Sequence, residues 1–239
     1  MTIQRFVLLL MAWSLGIPLE ILIIRALLQG AYRRYPVVFA YVLVTFVTTL
    51  VEIPVNAQSF LAHSTAILRQ ASRVYWMSEW ILQLLIFATV LSLIDIAISM
   101  ARWRRLLRVG MATAALLFAA TSFWIHYRPS FANLGTWMTP WTRDLSVCAT
   151  VLDLGLWMIL VAARRSDHRL LLICGALGMQ FTAEAIGEAI VNLARLHQEW
   201  VALTGSVVAV AGNLICLYIW WQTFRQKPRA VEASPHGSF

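Results

Sequence analysis

Lysine is almost missing from this chain: of 19 basic residues only Lys227 is lysine, the remainder being arginine. Charge of either sign is scarce, at 13% of 239 residues against 60% hydrophobic ones. With a mean hydropathy of +0.73, that balance excludes a soluble domain of this length. Cysteine is scarce too: Cys148, Cys174 and Cys216 fall inside apolar runs and form no C-x-x-C pair, so they read as buried thiols. Neither H-x-x-x-H nor H-E-x-x-H occurs, and there is no G-x-S-x-G elbow. Ser78 stands beside Glu79 with no His paired to it in sequence, which leaves nucleophilic catalysis without a base. The net charge of +8 comes from arginines in short loops rather than from a basic soluble domain, so no nucleic-acid partner is expected.

What is present is a series of long apolar runs. A transmembrane helix needs about 20 mostly apolar residues to cross a core of about 30 Å. Seven segments qualify, at 6–28, 37–57, 74–98, 108–126, 142–163, 169–192 and 201–222. The expected fold is all-α, a polytopic integral membrane protein with seven transmembrane helices in one domain over 1–225. A disordered tail is expected over 226–239. The first run continues from Phe6 past Glu20 to Leu28 without a small-x-small cleavage site, so it reads as a retained helix. Between the runs lie short polar connections, among them an outer loop from Tyr127 to Trp141 that reads first as a plain interfacial loop and second as a lid over a pocket.

Arginine placement orients the bundle. Thirteen Arg and Lys residues lie on the side that holds the tail and the loops after the first, third and fifth segments, against six on the other. The positive-inside rule then puts the amino terminus outside and the carboxyl terminus in the cytoplasm, in a cell membrane. Trp76, Trp80, Trp124, Trp137, Trp141 and Trp200 fall toward the outer interface, and Trp103, Trp220 and Trp221 toward the inner one.

Against this apolar background the acids carry the functional signal. Glu184 and Glu188 lie four residues apart in the sixth segment and so share a helix face, with Ala183, Ala185, Gly187 and Ala189 allowing close helix approach. At about 1.5 Å per residue, Glu52 and Glu184 stand about 22 to 24 Å above the cytoplasmic ends of their helices. Glu79, counted down from the outer end, reaches the same level about 8 Å below the surface. Glu188 lies about one turn higher, and Asp153 sits nearer the middle of the fifth segment with Asn213 near the middle of the seventh. Ionisable groups at such depth are costly unless they face water, a partner or the bundle interior. A cavity holding a cation, a proton or a basic ligand is one reading. Structural pairing with Arg69, Arg73, Arg143 or Arg195 is the other.

The third segment opens Arg73-Val-Tyr-Trp-Met-Ser-Glu-Trp80, placing Tyr75, Trp76 and Glu79 on one face with Trp80 beside them. Aromatic faces and an acid together could hold a ligand cation, or could simply form an interfacial belt. This Tyr-Trp-x-x-Glu opening, with Tyr35-Pro36 at the entry to the second segment, resembles uncharacterised bacterial seven-helix membrane proteins; the resemblance implies a fold and no activity.

Two other seven-helix classes can be tested residue by residue. A retinal protein resembling microbial rhodopsins needs a Schiff-base lysine in the seventh segment, and Val201 to Trp221 holds none. Small transporters built from two three-helix repeats share the deduced topology, and Glu52-Ile-Pro-Val-Asn56 matches Glu188-Ala-Ile-Val-Asn192 as E-x-x-V-N. Yet no Pro-Gln dipeptide occurs, and the fifth and sixth segments lack counterparts of Pro18 and Pro54.

The leading expectation is therefore non-enzymatic. It is binding or transport of a small cationic or protonatable ligand by Glu52, Glu79, Glu184, Glu188, Asp153 and Asn213, walled by Tyr75, Trp76 and Trp80. No cofactor and no metal ligand set are expected; the partners are the lipid bilayer, the ligand or a proton, and a further membrane protein. The alternatives are an accessory subunit that packs through small-residue faces, and an intramembrane metal-dependent hydrolase.

Overall fold

A computed structural model describes residues 3–61, 65–97, 104–127, 134–162, 168–194 and 199–226. These form seven α-helices and one 3-10 turn, with no strand among the described residues. The helices are α1 (Ile3–Leu28), α2 (Pro36–Leu61), α3 (Thr65–Ala97), α4 (Arg104–His126), α5 (Leu134–Ala162), α6 (His168–Ala194) and α7 (Glu199–Arg225), and the 3-10 turn is Ala31–Arg33.

Five helices carry stretches long and apolar enough to cross a membrane: Val7–Leu28, Pro36–Gln58, Trp76–Ala97, His168–Val191 and Trp200–Arg225. The chain is a membrane-embedded multi-pass protein. In α4 the apolar stretch, Thr113–His126, is shorter, because Arg104, Arg105 and Arg108 occupy its start. Helix α5 is interrupted by Arg143, Asp144 and Asp153. Large apolar side chains point outward in quantity, among them Leu116 at 71%, Val151 at 63% and Met11 at 58% exposure. Water would not tolerate such a surface, whereas lipid does.

Six of the helices close a ring in the order α1, α2, α3, α5, α6, α7 and back to α1, while α4 lies outside it, against α5 and, more lightly, α3. The ring is packed around Val42, Val90, Leu93, Ile173, Leu177 and Trp220. Its tightest seam joins α6 to α7. A Cβ on Gly187 would meet the Gly205 carbonyl oxygen at 2.6 Å, and one on Gly205 would meet the Gly187 carbonyl oxygen at 2.5 Å. A Cβ on Gly212 would collide with that of Ala183. Two of the four small residues expected to bring helices together, Ala183 and Gly187, lie in this seam; Ala185 and Ala189 are exposed.

The Tyr-Pro entry to α2 has a local cause. Gly30, at φ 125°, ends α1 in a conformation that favours glycine, its N–H donating to the Leu27 carbonyl. Pro36 then takes the first position of α2, where its missing N–H costs nothing. Tyr35 is buried edge-on against Phe224 of α7, with ring centroids 5.8 Å apart.

Two expectations are corrected. The outer loop from Tyr127 to Trp141 is shorter than expected, because α5 begins at Leu134 and carries Pro140 within it. Proline removes one hydrogen bond rather than the helix, and Thr142 Oγ1 donates to the Met138 carbonyl at 3.0 Å to bind the same turn. Trp220 is not part of a surface belt: it is fully buried, donating from Nε1 to the Ile173 carbonyl at 3.2 Å. Its neighbour Trp221 is half-buried, with Arg225 over its ring at 5.3 Å. The segment 227–239 lies outside the described residues.

Candidate functional site

Four helices of the ring wall a central cavity of about 360 Å3. Each contributes residues four apart, which face the same way on a helix. Tyr41 and Thr45 come from α2, Glu79 and Gln83 from α3, Gln180, Glu184 and Glu188 from α6, and Ala209 and Asn213 from α7. Leu82, Ile86 and Val210 complete the wall. Among the described residues, no Arg, Lys or His lines this space.

The carboxylates are held by different means. Glu184 accepts a hydrogen bond from Gln180 Nε2 at 2.9 Å, one turn below it on α6. Gln180 is buried and also reaches the side chain of Tyr41, which joins α2 to α6 through polar atoms. Glu79, from α3, lies within electrostatic reach of Glu184, Glu52 and Glu188. Glu188 is exposed, so the cavity opens on the side of its turn of α6. Gln83 brings an amide whose Nε2 is buried with no hydrogen-bond partner among the described residues. An orphan donor beside three acids is a polar group awaiting an acceptor such as water or a ligand oxygen.

Of the residues expected at the site, Glu79, Glu184, Glu188 and Asn213 meet here. Glu52 stands beside this group rather than in it, its Oε1 accepting from Ser78 Oγ across the α2–α3 interface at 2.5 Å. The pair Glu52 and Glu188, matched by E-x-x-V-N, thus have unlike surroundings, one bonded between helices and one exposed. Asp153 lies in a separate cavity between α5, α6 and α7. Trp80 packs against Trp141 of α5 with ring centroids 6.1 Å apart, behind the cavity wall rather than in it. Trp76 is half-buried and absent from the lining, and the Tyr75 side chain lies outside the described residues. So do the side chains of Arg69, Arg73 and Arg195, while Arg143 is exposed on α5.

Tyr41, Thr45, Gln83 and Gln180 were not anticipated. The signal existed: Gln83 follows Glu79, and Gln180 precedes Glu184, by the same four-residue interval that links the two acids of α6.

A second polar cluster ties α4 to α5. Ser122 Oγ donates to Asp144 Oδ2 at 2.7 Å, His126 Nδ1 lies 3.6 Å from the same oxygen, and Trp141 Nε1 donates to the Ala119 carbonyl at 3.2 Å. The serine here donates to the carboxylate rather than to the imidazole, so the three residues do not form a nucleophile–base pair. Nor does any group of three or more His, Cys, Asp or Glu among the described residues converge closely enough to hold a metal ion.

Ring and cavity define a class, that of multi-pass helical membrane proteins with an acid-lined interior. No protein-family model, curated protein or solved structure matches the chain.

Proposed function

We propose that the central cavity binds, and in the fuller form of the reading transports, a small cationic or protonatable ligand. The observation that carries this reading is a cavity with three carboxylates and an orphan amide in its wall and no cation in its described lining. Carboxylates inside a membrane bundle are costly unless a counter-charge arrives, and a ligand cation is the counter-charge the wall does not supply. Glu79 and Glu184 would meet the positive centre, Gln180 and Tyr41 would fix the Glu184 carboxylate, and Gln83 would donate to an oxygen on the ligand or to its water. A volume of about 360 Å3 suits a small amine or a partly hydrated ion.

In this reading all seven helices cross the cytoplasmic membrane, with the amino terminus outside, so that Glu188 and the cavity mouth face outward. The arginine asymmetry of the loops supports that orientation. Small residues serve the α6–α7 seam at Ala183 and Gly187 while Ala185 and Ala189 are exposed, so it is the acid-lined wall that favours ligand binding over the accessory-subunit alternative.

Purified protein in liposomes provides the test, with methylamine uptake and melting temperature measured across a panel of small amines. Wild type should take up methylamine, or be stabilised by at least one amine, and both effects should disappear in Glu184→Gln and Glu79→Gln. If the variants respond as wild type does, the acids are structural and the reading fails.

A further inference from the structure

A second cavity, of about 780 Å3, lies between α5, α6 and α7 on the opposite side of α6 from the carboxylates. Its walls are apolar. Leu154, Met179, Ile186 and Ile215 line it while remaining 44 to 50% exposed, so it opens sideways through the same kind of surface that the outer helix faces present. One charged group breaks this surface. Asp153 is 1% exposed, and its Oδ1 has no hydrogen-bond partner among the described residues. Room for the carboxylate is made by Gly178 on α6, where a Cβ would come within 3.2 Å of Asp153 Oδ2. Among the described residues, no Arg, Lys or His lines this cavity to neutralise the acid.

We propose that this groove is a binding site for an amphiphilic amine, distinct from the central cavity. The protonated nitrogen donates to Asp153 Oδ1, and the hydrocarbon chain lies along Leu154 and Ile215 toward the lipid. The chemistry of the floor selects the head group. A buried carboxylate oxygen without a donor is satisfied by an N–H, which a protonated primary, secondary or tertiary amine carries and a quaternary ammonium does not. A metal ion would need several oxygen or nitrogen ligands. Beside Asp153 the lining offers only the Thr182 hydroxyl, already donating to the Gly178 carbonyl at 2.7 Å, and the thiol of Cys174 as further side-chain ligands of that kind. Trp157 adds an aromatic wall on α5 that suits a cation. The volume falls within the range of sites for drug-sized ligands, and the lateral opening admits a molecule that partitions into the bilayer first.

The test uses the full chain in nanodiscs of zwitterionic lipid, with radiolabelled dodecylamine as probe and dodecanol as neutral competitor. Wild type should show a saturable component near one site per chain that dodecanol does not displace. Asp153→Asn should weaken it at least about tenfold, the scale expected for loss of one partner from a buried charge pair. Ala211→Phe, which fills the exposed wall of the groove without touching the acid, should weaken it also, and covers the case in which Asp153→Asn fails to fold. Glu184→Gln should leave it unchanged, which separates this site from the central one. Equal displacement by dodecanol, undiminished binding in both groove variants, or loss in Glu184→Gln alone would each overturn the proposal.

Discussion

The two cavities are divided by the same two helices and are chemically opposite. On α6, Gln180, Glu184 and Glu188 face the ring centre, while Gly175, Met179 and Ile186 face the lateral groove; on α7, Asn213 turns inward and Ile215 outward. The smaller space has three carboxylates in its wall, and the larger has one. Both helices read as apolar runs broken by a few polar residues. What separates a polar interior from a lipid-facing groove is therefore the angular position of a few residues, about 100° per step around the helix, rather than composition.

The most severe way to break this division is to force its partition open. Gly187→Leu would drive a side chain into the Gly205 carbonyl, part α6 from α7 and deform both cavities at once. Overpacking of this kind costs about 3 kcal/mol or more, and should appear as a large fall in melting temperature with loss of binding at both sites. Next in size is the selective break. Glu184→Gln should abolish amine stabilisation at the centre by at least about tenfold while the protein remains folded, since the neutral amide keeps the shape and can still bond Gln180. A mere loss of stability, with amine affinity retained, would contradict the central reading.

Smaller effects sharpen the contrast by testing what holds the walls. Trp220→Phe keeps the buried ring but removes the indole bond that ties α7 to the Ile173 carbonyl of α6, which keeps its own helical partner; a loss of about 1 kcal/mol in denaturant unfolding is expected. Ser78→Ala removes the hydroxyl that Glu52 accepts from and should cost about 1 kcal/mol, with central amine binding little changed because Glu52 is outside the lining. Least of all, His126→Gln should shift stability by no more than about 0.5 kcal/mol. The His126–Asp144 contact is long and its carboxylate side chain 40% exposed, and Ser122 still donates to Asp144. A larger shift would give α4 a structural weight that its position outside the ring does not suggest.

Much of the architecture was legible because helix length and apolar run length are set by the same bilayer thickness. Rise per residue alone puts Glu52, Glu79 and Glu184 at one level with Glu188 a turn higher; of these Glu79, Glu184 and Glu188 line the central cavity, and Glu52 stands beside it. Depth, however, is only one of two coordinates. Asp153 was assigned a level in the membrane but not a direction, and α5 has α3, α4 and α6 as neighbours, so its acid could have faced any of them. Trp220 shows the same limit from the other side: a tryptophan at the end of a span satisfies an interfacial pattern, yet its indole N–H found a carbonyl inside the ring. The start of α5 was missed because proline and polar residues signal a loop in sequence, although one proline inside a helix removes only one bond of many.

The glycine seam has a further consequence, for the order of assembly. Lipid gives apolar helices no reason to prefer one another over hydrocarbon chains, so association rests on how closely backbones can approach. By that measure α6 and α7, adjacent in sequence and pressed together at Gly187, Gly205 and Gly212, form the natural first pair. The acids of α6 therefore stand on the most closely packed helix pair of the ring, and α2 and α3 complete the wall around them. The polar face of the central cavity is thus carried by the part of the bundle least free to shift, its carboxyl-terminal helix pair.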